Sequence, residues 1–237
     1  MVNETRNIQS VERAMYLLEQ VAAAGGRVRL NDLAEQSGVN KTTLHGLLNT
    51  LCALGYIGRE GKYYVLGLRL REIAQFLSDE DEKLRLHFRA LVEKLHHSSG
   101  ENVYLAVPCG TRGYLYIDFL GSGDYFKGVS PRGRREGLTT SAMGKVFLAN
   151  IPEMARSLRR AEKLPPQIGA ELQQISACGY ALDLEVAEAG LNAFAVPLRR
   201  DGRTVAGVSV AGPAENLPQT RLVTLAEEAM RWVAAFQ

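Results

Sequence analysis

Residues 29–51 read RLNDLAEQSGVNKTTLHGLLNTL, and this segment restricts the possible folds more than any other part of the chain. Ala34 is small enough to let a second helix cross closely over the first. Gly38, four residues on, takes the positive φ of a tight interhelical turn without steric cost. Leu44 follows six residues later, with Leu47, Leu48 and Leu51 at helical spacing behind it. These offsets predict two short helices packed across a turn. Asn40, Lys41, Thr42, Thr43 and His45 stand at the start of the second helix, and Asn49 lies one turn further on. Hydrogen-bonding side chains there suit a helix whose N-terminal end enters a DNA major groove.

The residues that follow predict a wing. Gly55, Tyr56 and Ile57 read as a strand start, residues 58–62 (GREGK) as a turn bracketed by glycines, and Tyr63, Tyr64 and Val65 as the returning strand. A helix-turn-helix followed directly by a β-hairpin is a winged helix. Arg59 and Lys62 at the hairpin would reach phosphates, supplying affinity rather than sequence choice. Taken singly, each is also what a solvated hairpin carries.

Composition limits the partners. The 237 residues suffice for two modest domains, and 46% hydrophobic with 23% charged content describes a globular chain. The formal net charge is only +2, so bulk charge does not point to nucleic acid. Any DNA binding must come from a local patch, which favours a dimer or tetramer reading repeated half-sites. Cys52, Cys109 and Cys178 are scattered and form no CxxC pair, consistent with a reducing cytoplasm. No apolar run approaches the ~18 residues of a membrane span, and the N-terminal residues contain no signal core. A cytoplasmic protein without membrane contact is expected.

Hydrophobic periodicity sets the expected organisation. A first helix spans residues 8–24, with Ile8, Val11, Met15, Leu18 and Ala22 on one stripe. The winged helix-turn-helix DNA-binding domain then occupies residues 1–67. A linker helix follows at 68–82, ending in the acidic run Ser78-Asp79-Glu80-Asp81-Glu82. The second domain, residues 83–237, opens with a helix near 83–97. Strands are predicted at 101–108, 112–120, 125–130, 192–198 and 204–212, the last two joined by an Asp-Gly hairpin turn. Helices are predicted at 141–148, after Pro152, at 166–177 and at 220–236. The class is α+β: an antiparallel sheet with helices around it.

Catalytic and metal constellations fail on spacing. In Gly137–Lys145 (GLTTSAMGK) six residues separate the glycines instead of the four of a phosphate-binding loop, and Val146 replaces the Ser or Thr that would hold magnesium. Ser141 and Lys145 are four apart rather than three. His96 and His97 are adjacent and point to different helix faces, so with His87 they make a poor chelate. Asp183, Glu185 and Glu188 form an acidic loop with no accompanying nucleophile. No catalytic residue, metal site or cofactor is expected.

The whole chain resembles the IclR family of bacterial transcriptional regulators. The resemblance rests on IQSVERAMYLLEQV, LAEQSGVNKTTLHGLLNTLCALGYI, SAMGKVFLA at 141–149, GYALDLEVAEAGLNAFAVPL at 179–198 and VAGVSVAGP at 205–213, in that order. It implies a winged helix joined by a linker helix to an α/β effector-binding domain with a curved antiparallel sheet. It also implies dimers, often paired into tetramers, on double-stranded operator DNA. Carried over by position, the effector walls are Thr140, Ser141, Ala142, Met143, Gly144, Asp183, Ala193 and Ser209. Three departures bear on the ligand: Ala193 stands where many relatives have Cys, Ala211 where many have Ser, and Val186 where Glu is frequent. Losing a thiol and a hydroxyl disfavours a very small 2-oxo acid and favours a larger aromatic or sugar acid, with Tyr116, Tyr125 and Phe126 as further lining. Two other readings compete: an interaction adaptor with a degenerate winged helix, and a small α/β enzyme.

Overall fold

The computed structural model describes residues 8–121 and 131–236. The chain divides into two compact units, Met1–Glu80 and Asp81–Gln237. In the first, the order is α1 (Gln9–Ala23), β1 (Arg27–Arg29), α2 (Leu30–Ser37), α3 (Lys41–Ala53), β2 (Ile57–Glu60) and β3 (Tyr63–Leu66). Helices α2 and α3 are the helix-turn-helix, with Gly38 between them at φ 62°. The strands form an antiparallel sheet in the order β1-β3-β2. Leu17, Val21, Val28, Leu33, Leu44, Leu48, Ile57 and Tyr64 fill the core.

Three local expectations change here. The buried stripe of α1 is Leu17, Leu18 and Val21, whereas Ile8, Val11 and Met15 are exposed. Both stripes fit a helical period, and only the packing of α2 and α3 chooses between them. Strand β1 was not foreseen, because three residues are too few for periodicity to report. The wing turn is tighter than expected. Glu60 pairs with Tyr63, so Gly61 and Lys62 alone make the turn. Positive φ at Gly61 matches a two-residue hairpin turn. Gly58 and Arg59 lie within β2.

Helix α4 (Arg69–Ser99) replaces the two helices expected at 68–82 and 83–97. The acidic run does not interrupt it. Residues 78–82 contain neither Gly nor Pro, and Gln75 donates to Asp79 at 2.9 Å while Arg85 pairs with Glu82 at 2.8 Å, both across one turn.

The second unit continues with β4 (Asn102–Cys109), β5 (Gly113–Leu120), β6 (Arg135–Glu136), α5 (Ala142–Asn150), α6 (Pro152–Arg160), α7 (Ile168–Cys178), β7 (Ala181–Leu184), β8 (Leu191–Arg200), β9 (Arg203–Pro213) and α8 (Gln219–Val233), then a short 3-10 turn at Ala234–Phe236. Its six strands run antiparallel in the order β6-β5-β4-β9-β8-β7. The β8–β9 turn uses Asp201 and Gly202 at φ 52° and 73°, the double positive φ that Asp-Gly favours. The strand expected at 125–130 lies outside the described residues. Asp183, expected in a loop, is in β7, a four-residue edge strand.

Alternation gives the sheet two unlike faces. Val103, Leu105, Phe194, Val196, Val208 and Val210 pack against α4 and α8. On the opposite face Ala106, Ala181 and Ala195 meet α5, whose Met143, Val146 and Phe147 enter a separate core with α6 and α7. Small side chains on that second face let α5 lie close to the strands. A Cβ on Gly207 would stand 2.5 Å from Met143 Sδ.

Candidate DNA interface and effector cavity

Asn40 starts α3 as its N-cap, its Oδ1 accepting from the backbone N–H of Thr43 at 2.9 Å. That hydrogen bond satisfies an otherwise orphaned helix donor, so Asn40 is engaged within the protein. Lys41, Thr42, His45 and Asn49 are exposed along α3, while Thr43 is half-buried. The helix presents the first four outward because Leu44, Leu48 and Leu51 anchor its other side.

Gly46 sits within the exposed stripe, and a Cβ there would meet nothing within 4 Å. A mid-helix glycine costs about 1 kcal/mol against alanine. Nothing in the protein's own packing requires it, and the helix backbone is open on this side. Sequence reasoning did not single it out, although a glycine inside a helical pattern is itself a signal.

At the wing, Arg59 Nε donates to the Gly61 carbonyl at 3.2 Å, and its guanidinium lies 5.9 Å from the Tyr64 ring centre. Lys62 Nζ lies 5.8 Å from the Tyr63 ring centre. Both cations remain exposed.

In the second unit a cavity of about 200 Å³ opens on the small-residue face of the sheet. Thr140, Ser141, Ala142, Met143, Asp183, Ala193 and Ser209 all line it. Gly144 does not. Its role is to let α5 start against the chain at Leu138, whose Cα and carbonyl oxygen would each be 2.6 Å from a Cβ. Ser141 caps α5, its Oγ accepting from the Gly144 N–H at 3.1 Å. Its hydroxyl also lies 3.0 Å from Tyr114 Oη, which lies 3.2 Å from Tyr116 Oη. Burial pushes both phenols above their ordinary range, Tyr116 further with help from its tyrosine neighbour. Both therefore remain protonated at neutral pH.

Asp183 is buried, and burial raises its carboxyl above the ordinary value. The backbone N–H groups of Val186 and Ala187, donating to Oδ1 at 2.9 and 3.2 Å, and the charge of Lys145 oppose that rise. Lys145 is itself buried and pairs with Glu171 at 2.8 Å. Arg134 and Glu136, an ion pair, also line the cavity. Ser209 Oγ donates to the Phe194 carbonyl at 2.7 Å, so its proton is already committed.

Residues 10–61 match the IclR helix-turn-helix domain and residues 80–236 match the bacterial transcriptional regulator IclR C-terminal domain. The chain belongs to the IclR family. The glycerol operon regulatory protein of Streptomyces griseus is 35% identical over 239 residues, covering 92% of each chain. An IclR family transcriptional regulator from Brucella abortus superposes with a TM-score of 0.75 at 19% identity, covering 100% of this chain and 94% of that one. An IclR homologue from Microbacterium hydrocarbonoxydans, crystallised with 4-hydroxybenzoate, superposes with a TM-score of 0.68 at 22% identity, covering 94% of this chain and 96% of that one. These last two share the fold.

This IclR-type chain is thus a DNA-binding transcriptional regulator with an N-terminal helix-turn-helix domain and a C-terminal α/β domain. No helix among its described residues is long and apolar enough to cross a membrane. Among those residues, no cluster of three or more His, Cys, Asp or Glu is arranged to hold a metal.

The structure adds cavity residues that sequence reasoning did not name: Tyr104, Tyr114, Arg134, Glu136 and Leu191 line it, together with Glu188 of the acidic loop. Tyr114 and Tyr116 share strand parity, which points both to one face, and that signal was available. Arg134 precedes and Glu136 ends a strand of two residues, which leaves no pattern to find. Tyr125 and Phe126 lie outside the described residues.

Proposed function

We propose that this regulator controls metabolic genes from the cytoplasm, switching its operator affinity when a small hydroxylated acid, aromatic or sugar-derived, binds the C-terminal cavity. The observation that carries this reading is the chemistry of the cavity wall. Two protonated phenols and the N-terminal turn of α5, where backbone N–H groups and the helix dipole favour negative charge, suit a carboxylate. Asp183 faces them with Oδ1 already bonded to backbone, which leaves Oδ2 as an acceptor for a ligand hydroxyl. A volume of about 200 Å³ suits one ring or a short polyol chain.

The DNA half of the reading assigns base-edge contacts to Lys41, Thr42, His45 and Asn49, with Thr43 beside them, and phosphate contacts to Arg59 and Lys62. Asn40 serves mainly by shaping the helix start. Gly46 admits the duplex close to α3. A dimer, or a tetramer of two dimers, is favoured by the exposed Ile8, Val11 and Met15 at and within α1 and by Leu68, Ile73, Phe76 and Leu77 at and within α4. Apolar side chains exposed along helices are the kind of surface that association with a second copy would cover. Effector binding must differ in free energy between two protomer arrangements for the switch to work. Residues 69–80 are the segment whose pairing would set the spacing of two recognition helices, near ~34 Å for adjacent half-sites.

The test is fluorescence anisotropy on labelled DNA from upstream of the protein's own gene, titrated with 4-hydroxybenzoate, gluconate, pyruvate and glyoxylate. The reading expects selective binding that a hydroxylated acid shifts. Tight binding of pyruvate or glyoxylate in calorimetry would overturn the effector assignment. Unchanged DNA affinity in Lys41→Ala/His45→Ala would overturn the contact assignment.

A further inference from the structure

The three-stranded sheet of the first unit carries a charge concentration that the wing turn alone does not explain. Residues 27–29 and 57–66 contain four Lys or Arg (Arg27, Arg29, Arg59 and Lys62) against one acid, Glu60. The whole chain has a net charge of only +2, so this small sheet more than accounts for the positive balance of the entire protein.

Register separates these cations onto two faces. Val28 is buried in the core with Ile57 and Tyr64, on the side where the helices pack. Arg27 and Arg29 alternate with Val28, so they stand on the outer face, where Arg29 pairs with Tyr63 and Arg27 with Val65. There the Arg27 guanidinium lies 4.1 Å from the Tyr63 ring centre, that of Arg29 lies 5.2 Å away, and Lys62 Nζ lies 5.8 Å away. Arg29 Nη2 also donates to Tyr63 Oη at 3.0 Å. One aromatic ring thus gathers three cations. All three are exposed, and none has a carboxylate within ion-pair distance among the described residues. Glu60, opposite Tyr63, is the acid in register with this face, and Asp32 attracts Arg29 from α2.

Three like charges on an open surface repel one another, and their contacts with the Tyr63 ring leave all three exposed. We propose that the outer face of the wing sheet is a second phosphate-binding surface, in which Arg27 and Arg29, braced on Tyr63, grip the duplex backbone beside the half-site read by α3. The occupant follows from charge complementarity and from continuity: Lys62 belongs both to this cluster and to the wing turn. Guanidiniums held against a ring lose less side-chain freedom when they meet a phosphate, and their forked geometry matches its oxygens. The contact carries no sequence information and raises affinity for any duplex. It rests on the reading of the wing as a DNA-contacting element.

The experiment uses the full-length protein, a labelled duplex from upstream of its own gene, a mixed-sequence duplex for comparison, and a series of salt concentrations. In Arg27→Gln/Arg29→Gln the slope of log affinity against log salt is expected to flatten by about two per protomer, with affinity falling roughly tenfold or more at physiological salt on both duplexes alike. Arg27→Lys/Arg29→Lys keeps the slope and loses part of the affinity. Tyr63→Leu keeps most of the slope but weakens binding severalfold, because the charges remain and their brace is gone. Thermal midpoints show whether each variant is folded, and the Lys pair separates charge from any fold defect. A slope left unchanged by the Gln pair overturns the proposal and returns this face to solvent or to an acidic protein partner. A loss confined to the ratio between the two duplexes overturns it in favour of base reading. Wild-type protein with no saturable duplex binding at any salt overturns the wing reading as well, and so is told apart from failure of this face alone.

Discussion

The two faces of the six-stranded sheet are made by the same strands and do opposite work. Toward α4 and α8, β8 and β9 present Phe194, Val196, Val208 and Val210, all fully buried. Toward α5 they present Ala193, Ala195, Gly207, Ser209 and Ala211. The closed face fills its space with branched and aromatic side chains. The open face leaves part of its space empty, and that emptiness is the cavity. Alternation at period two therefore writes two programmes into one strand: core packing at even residues of β8 and β9, and at odd ones either a close seat for α5 (Ala195 and Gly207) or cavity wall (Ala193, Ser209 and Ala211).

That comparison can be broken from either side. The largest effect is expected on the closed face. Phe194→Ala should cost about 3–5 kcal/mol and lower the melting temperature of the second unit by roughly 10 °C, read by calorimetry. Gly207→Ala comes next. It lies on the open face where α5 covers it, and the new methyl must displace Met143, at a cost of about 1–2 kcal/mol in the same measurement. Met143 lines the cavity, so effector response should weaken as well. Ala211→Leu, two positions past Ser209, points into the cavity itself. It should change stability by less than about 1 kcal/mol and still abolish the effector-dependent shift in DNA affinity. A stability loss as large as that of Phe194→Ala would show that the open face is ordinary core.

The smallest effect concerns Asp183 and depends on pH. Burial raises its folded-state pKa above the ordinary 3.8, so the native state holds the proton more tightly than the unfolded chain does. Ionised Asp183 is therefore a small destabilising element at neutral pH, and stability is regained as pH falls through the raised pKa toward the ordinary value. Asn keeps an oxygen for the Val186 and Ala187 N–H groups without the charge. Asp183→Asn should melt slightly higher at pH 7, and the gap to wild type should close as the pH is lowered toward 4. A gap that is constant with pH would mean the carboxylate is not the cause.

Much of the first unit was legible in the sequence because its determinants are local. Gly38 needs positive φ, Leu44, Leu48 and Leu51 repeat at helical spacing, and a capping Asn precedes them. The same holds for the Asp201-Gly202 hairpin. What failed was short or two-sided. Strands β1 and β6, of three and two residues, exist only because neighbouring strands offer them hydrogen bonds. Helix α1 carries two apolar stripes, and propensity cannot rank them. The acidic run in α4 looked like a boundary because charge clusters often are, yet a helix accommodates it: most of these charges point to water, and half-buried Asp81, whose carboxyl burial pushes up, has the opposing charge of Arg85 nearby.

The site divides in the same way. Residue types and order sufficed for the family, for the helix-turn-helix and for most of the cavity wall, since these lie within continuous segments. The sequence by itself determined that this is a winged-helix regulator with an α/β partner domain, through local spacing and alternation. Only the tertiary structure decided which residues share a space: Tyr114 with Ser141, Asp183 with the first turn of α5, and three cations around Tyr63. Those groupings depend on strand register and on helices crossing a sheet. Both are set by long-range packing, in which residues far apart in the chain compete for the same few ångströms.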